Sequence, residues 1–374
     1  MSETYVAPAS DFGLLKQDVL RQADLFASDI PRIRERVQAV VKSRYDGIER
    51  VYLTGCGDSF NVGMASRWVW EDLLQVPVEA LPAMTFSRYA VQTAPPGSLV
   101  VALSQSGNVN RVVEAIRVAR KKGLKTLSIT GKADSALGKE PVDGLVVTEF
   151  PKLGFVPGTT SYSHGLVIYY EIACALAGGM SRALALQKKV DALPELISVT
   201  LKFNEGLAAK HAEIFERNTP ILILASGPQL ANARFTARKF FEITQSVAFS
   251  QESEEYAHDE YSIINADFAV FLFSPEDAGF SRHLEIAKYL HGLNTHLAVI
   301  TSQKKGEAFQ DIADVIYQIP EVSEEVSPVL FALPPQILIS ELAARIGGSY
   351  YSVGDRIHAE DGDPQIYASE IVTD

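Results

Sequence analysis

Three short polar stretches in this chain are built from residue types that can hold an anion: "GCGDSFN" (55–61), "SQSGN" (104–108) and "PGTTSYSHG" (157–165). Each opens a helical pattern, and the first two follow an apolar run. The first backbone N–H groups of a helix have no internal partner and lie at the positive end of its dipole. Glycine lets the backbone approach a ligand closely, and Ser and Gln add donors that need no counter-charge. Together these features make a cradle for a phosphate-sized anion. Plain capping would account for any one such turn, because Ser often opens helices and Gly punctuates loops. Three in one region point to a ligand. No Gly-Lys-Ser/Thr follows any of them, which excludes a P-loop, and "GCGDSF" lacks the third glycine of a dinucleotide fingerprint.

The elements that must position these turns can be read from periodicity. Short apolar runs alternate with helical patterns, which predicts α/β layers with parallel strands. The run "VYLTGCG" (51–57) is echoed by "ILILASG" (221–227), so that Gly57 and Gly227 lie 170 residues apart, as do the strand-ending Ser104 and Ser274. Thr130 and Thr301 are 171 apart, and so are Glu71 and Glu242. The chain therefore reads as two copies of one unit, and ligands of open parallel sheets sit at the carboxyl ends of the strands. The expected organisation is a helical lead-in over 1–46, a first copy over 47–180, a helical linker over 181–218 with Pro194 as an early break, a second copy over 219–347 and a polar tail over 348–374.

Bulk properties narrow the function classes. The chain has 374 residues, of which 47% are hydrophobic, enough for two real cores. Its net charge is −12 with no basic cluster, which argues against nucleic acid and acidic membranes as partners. An acidic protein that binds an anion must do so through local dipoles. Cys56 and Cys174 lie among apolar residues and are read as free thiols in a reducing compartment, with one disulfide as the alternative. The first residues, "MSETYVAPASDF", have neither the basic nor the apolar region of a secretory signal. The most apolar helical stretch, 165–178, contains Glu171 and is too short to span a bilayer. A soluble cytoplasmic protein is expected. The seven histidines show no ligand-like spacing, so no metal is expected, and no cofactor.

"GCGDS", "SQSG" after an apolar run, and the duplicated α/β unit together resemble the sugar isomerase (SIS) domain in tandem, over roughly 30–374. The resemblance is strongest to the isomerase half of glucosamine-6-phosphate synthase and to the fructosamine-6-phosphate deglycases. It implies two flavodoxin-like three-layer sandwiches and a homodimer with a shared active site. It also implies a tail over that site. The family's phosphate grip carries over to Ser59, Ser104, Gln105 and Ser106, with Gly57 and Asp58 beside it and Thr159 from the third turn. The family's catalytic carboxylate falls on Glu242 in "FFEIT". Its histidine, sixteen residues later, falls on His258 in "ESEEYAH", with Glu255 as the matching acid. The implied chemistry moves a proton between C1 and C2 of an open-chain hexose with an anionic C6 group. A carboxylate suits the proton shuttle and an imidazole suits ring opening. The result is aldose–ketose isomerisation or release of an amine from a fructosamine phosphate.

Four departures bear on the substrate. No glutaminase region is present to supply ammonia. The family's tail lysine falls on Ser369, which removes Schiff-base chemistry there. Asp259-Glu260 replaces the Gly-Pro that follows the family's histidine. Asp58 and Val109 stand where the family has hydroxyls, and an Asp beside a phosphate dianion is repulsive unless it points away or caps a helix. Two further readings follow: isomerase of a 6-sulfo hexose, whose monoanion suffers less from Asp58, and a non-catalytic sugar-phosphate-binding regulator.

Overall fold

Runs such as Ser98–Ser104 and Ala269–Ser274 become strands because they are apolar enough to be buried on both faces, and each ends at a hydroxyl residue. The computed structural model describes residues 10–41, 45–216, 218–346, 350–353, 356–357 and 369–373. The first five strands are β1 (Arg50–Gly55), β2 (Val78–Pro82), β3 (Ser98–Ser104), β4 (Lys125–Thr130) and β5 (Gly144–Val147), in the order β2-β1-β3-β4-β5. The next five are β6 (Ile221–Ala225), β7 (Ala248–Glu252), β8 (Ala269–Ser274), β9 (His296–Ser302) and β10 (Val315–Ile319). Their order, read from β7, is β7-β6-β8-β9-β10, the same topology. All pairings in both sheets are parallel. The duplication extends to register: Ser104 stands opposite Thr130, and Ser274 opposite Thr301.

The chain divides into two compact units, each with one sheet. The first sheet's unit holds Phe26–Lys152, Ser161–Asp191 and the described part of the tail. The second sheet's unit holds the residues up to Leu25, Leu153–Thr160 and Ala192 onward. The lead-in expected over 1–46 is therefore shared. Its first helix, Phe12–Leu20, is capped by Asp11, whose carboxylate accepts from the Leu14 amide at 2.8 Å. Lys16 ties that helix to Glu205 and Glu341 within the second sheet's unit. The expected break at Pro194 falls between the helices Ser181–Asp191 and Leu193–Ala212, where Pro194 occupies the first turn of the second helix. Both cysteines are thiols, Cys56 half-buried and Cys174 buried. One run, Glu324–Ile346, is long and apolar enough to cross a membrane, but 94% of its apolar window is buried inside the protein, as for a core helix.

Beneath the second sheet, His211 joins a chain of rings that makes stability depend on pH. Its Nδ1 lies 2.7 Å from the Tyr317 hydroxyl and its Nε2 lies 2.8 Å from Nε2 of His296. Burial, then the neighbouring His296, pushes the His211 pKa down to about 3, and burial also lowers that of His296. The unfolded chain therefore binds protons below about pH 6.5 that the folded chain refuses, and stability falls as pH drops from there toward 3. By pH 5 the loss from His211 alone is about 2 kcal/mol. Urea midpoints at pH 7.5 and 5 are expected to show this loss, and His211→Gln is expected to reduce the difference.

Candidate active site

In the order β2-β1-β3-β4-β5 the chain leaves β1 toward one edge of the sheet and leaves β3 toward the other. The crevice between those two departures is the topological switch point, where ligands of this architecture bind. The first two polar turns lie on its two sides. After β1, Gly57 takes a left-handed φ of +60° and the helix Asp58–Leu74 begins at once, with Asp58 at its positive end. Ser59, half-buried, donates its amide to Cys56 O at 3.2 Å.

After β3 the chain makes a tighter turn. Ser104 is buried, and both its carbonyl and its Oγ accept from the Gly107 amide, at 3.0 and 3.1 Å. Gln105 is half-buried, with its carbonyl accepting from the Gly131 amide at 3.1 Å. Ser106 is exposed, and its Oγ accepts from the Asn108 amide at 3.3 Å. The helix Asn110–Lys121 then opens with Val109 as cap residue, which supplies no side-chain hydrogen bond to the opening amides. In both serines the hydroxyl oxygen is used as an acceptor, so the O–H remains a donor for a ligand. Ser59, Ser104, Gln105, Ser106, Gly57 and Asp58 thus lie at the carboxyl ends of β1 and β3. Ser369 comes to the same helix: its carbonyl accepts from Asn110 Nδ2 at 2.8 Å and from Arg111 at 3.3 Å.

Sequence reasoning missed what holds that tail segment. Glu114, fully buried on the Asn110–Lys121 helix, accepts from Ser87 Oγ at 2.7 Å, Arg88 Nε at 3.2 Å and the Val372 amide at 2.8 Å, and it pairs with Arg111. Ile371 packs on the apolar cluster that includes Val112 and Ile116. Burial raises the Glu114 pKa, but the Val372 amide, Arg88, Ser87 and Arg111 outweigh it and hold the carboxyl below its ordinary value. This anchor is present above the ordinary carboxylate range and is lost as pH falls through the lowered value. Charge-assisted bonds of this kind contribute about 1.5–3 kcal/mol. Glu114→Gln is expected to cut hydrogen-exchange protection of the Val372 amide by at least about tenfold. Unchanged protection would remove the carboxylate from that role.

Thr159, Glu242, Glu255 and His258 belong to the other unit. Thr159 is buried, and its hydroxyl donates to Asp18 Oδ2 at 3.1 Å; the neighbouring Thr160 donates to Asp18 O at 2.7 Å. Glu242 sits in a π-helical turn, Phe240–Thr244, that ends the helix Gln229–Lys239. Wide turns of this kind re-aim side chains and are frequent at functional sites. Glu242 is half-buried, with 26% of its side chain exposed, and Oε2 accepts from Lys239 Nζ at 2.5 Å. The Lys239 side chain is buried and lies over the Phe235 ring. The Tyr351 amide donates to Glu242 O at 2.8 Å, and the Tyr351 ring lies 6.1 Å from that of Phe155, so Tyr351 links the turn of Glu242 to the segment leading to Thr159. Its counterpart by offset, Glu71, has a different environment: it accepts from the Val78 amide at 3.2 Å and braces the start of β2. Lys239 is the residue sequence reasoning overlooked, and the signal was a lysine three positions before the carboxylate.

Glu255 and His258 are both exposed on the short helix Ser253–Tyr256 and the turn after it. Glu252 caps that helix through the amides of Glu254 and Glu255. His258 has 69% of its side chain exposed and approaches Glu254 at 3.5 Å. Asp259-Glu260 leads into a 3-10 turn, Glu260–Ser262.

Known proteins resemble this chain over most of its length. The chain is 27% identical to a glutamine–fructose-6-phosphate aminotransferase [isomerizing] of Yersinia pseudotuberculosis over 302 residues, covering 79% of this chain and 49% of that protein. A Caldanaerobacter subterraneus protein of the same name is 23% identical over 313 residues, covering 82% and 51%. The chain thus spans about half the length of the curated relatives it matches. Among solved structures, the C-terminal domain of glucosamine-fructose-6-phosphate aminotransferase from Francisella tularensis superposes with a TM-score of 0.79 at 19% identity, covering 90% of this chain and 99% of that one. Tagatose-6-phosphate ketose/aldose isomerase from Escherichia coli superposes with a TM-score of 0.74 at 16% identity, covering 95% and 99%. The family model for the SIS domain matches twice, at 47–170 and 213–345, once over each sheet, and the chain belongs to the SIS domain family.

Proposed function

We propose that this protein transfers a proton between C1 and C2 of an open-chain hexose whose C6 carries an anionic group. The observation that carries this reading is the placement of the two Gly/Ser turns on either side of the β1–β3 switch point, each at the opening of a helix. Ser59, Ser104, Gln105 and Ser106 hold the anion. Glu242 is the base. Lys239 Nζ, donating to its Oε2 at 2.5 Å, orients the carboxylate. His258 acts at the ring oxygen or the leaving group, and its exposure suits a side chain supplied to a second copy of the protein. The named activities of the relatives, isomerisation and amino transfer on hexose 6-phosphates, support the same C1–C2 chemistry.

The outcome is isomerisation or deglycation. A panel of fructose 6-phosphate, a fructosamine 6-phosphate and a 6-sulfo hexose, followed by proton NMR, separates them: an aldose product marks an isomerase and a free amine marks a deglycase. Saturable binding with neither product assigns the protein to the regulators and ends the catalytic reading. Asp58 at the mouth of the first turn favours the sulfonate as a second reading, and faster turnover of the 6-sulfo hexose than of the phosphates would establish it.

A further inference from the structure

The second unit holds a cavity of about 300 Å³ between the helices Ser253–Tyr256 and Phe280–Gly292. Three tyrosines line it, Tyr256, Tyr261 and Tyr289, with Ile286 on the apolar side and Arg282 and Glu285 at its edge. This volume is at the small end for ligand sites and suits one ring or a short chain. The Tyr256 side chain is buried, and its hydroxyl has no hydrogen-bond partner among the described residues. A buried phenol left without a partner is costly, so this oxygen asks for one. Burial, Tyr289 and Glu260 keep the phenol protonated.

The charge around the cavity is negative. Arg282 is its one lining cation, and that guanidinium is already committed: Nε donates to Glu254 at 2.6 Å and Nη1 to Glu285 at 2.8 Å. Two carboxylates on one guanidinium leave a net negative charge. Glu260 adds another carboxylate that acts on the Tyr256 phenol, and its Oε2 is buried without a partner among the described residues. An anion is repelled here. A cation is attracted by the carboxylates and by the electron-rich faces of the tyrosines.

We infer that this tyrosine-lined cavity binds a small organic ammonium ion. The cavity borders the His258 turn through Ala257, but ammonium binding there does not depend on the C1–C2 chemistry. Benzylammonium, its N-trimethyl form and benzyl alcohol, the neutral molecule of the same shape, are suitable probes, titrated calorimetrically into the full-length protein at constant ionic strength. Saturable binding of benzylammonium is expected, at least fivefold tighter than that of benzyl alcohol. Tyr289→Leu, which keeps apolar contact and removes the ring face, is expected to weaken it at least threefold. Binding of the alcohol equal to that of either ammonium, or no saturable binding, would overturn the inference.

Discussion

Glu242→Gln is expected to lower kcat by about a hundred- to ten-thousand-fold while leaving sugar binding within about threefold, because a positioned base contributes that much and the amide keeps the shape. The substitution removes the carboxylate proposed to carry a proton between neighbouring carbons. It also leaves Lys239 buried beside a neutral amide instead of the carboxylate 2.5 Å away. That second effect is on stability, since breaking a buried pair from one side is costly. Binding of an inert hexitol 6-phosphate, measured by calorimetry, separates the two: an intact binder with lost turnover assigns the base. A variant that turns over normally would move the base elsewhere.

Gly107→Ala is expected to be the most damaging single methyl in the first unit. Gly107 sits at φ +68°, and an added Cβ would overlap Ser135 Oγ and Cβ and lie 2.6 Å from Thr130 Oγ1. A non-glycine residue in this region costs about 1–2 kcal/mol, and overpacking a tight site about 1–3 more. The Gly107 amide also fixes Ser104 through two bonds, and its carbonyl accepts from Leu137 at 2.8 Å. Relieving the overlap must therefore move the turn that presents the opening amides of the Asn110–Lys121 helix. The expected result is a loss of roughly 2–5 kcal/mol in denaturant titrations and a KM for the anionic sugar raised at least about tenfold, since a geometric error near the ligand weakens every contact there. Gly123→Ala is the control: φ is +77°, but nothing lies within 4 Å of its Cβ. Backbone strain alone should cost about 1 kcal/mol there, with KM unchanged. Equal effects of the two substitutions would show that the turn at 104–107 has no particular role in binding.

The two sheets were legible in the sequence because duplication preserves register. Ser104 and Thr130 end neighbouring strands, and Ser274 and Thr301 repeat that pairing 170 or so residues later. The Gly-Ser turns were legible for a related reason, since glycine with a left-handed φ leaves a mark that few other residues can replace. What surrounds Glu242 was not. Its π turn breaks the helical period that sequence reading depends on, and Lys239 in "RKFFEIT" looks like any helix charge until its burial is known. Glu114 hid in the same way, because a fully buried carboxylate and a solvated one are written with the same letter. The division of the lead-in at Leu25 could not be foreseen either, since it rests on partners such as Tyr350, whose hydroxyl donates to Asp11 O at 2.9 Å from 339 residues away.

The most direct test of the central claim is exchange of substrate carbon-bound hydrogen with solvent. Fructose 6-phosphate, or whichever panel member turns over, is incubated in deuterium oxide with the wild-type protein and with Glu242→Gln, and deuterium at C1 and C2 is read by NMR. Wash-in by the wild type and none by the variant is the expected result. A substrate that is converted with no deuterium gained, or one that gains it equally from both proteins, would contradict a carboxylate at 242 relaying the proton.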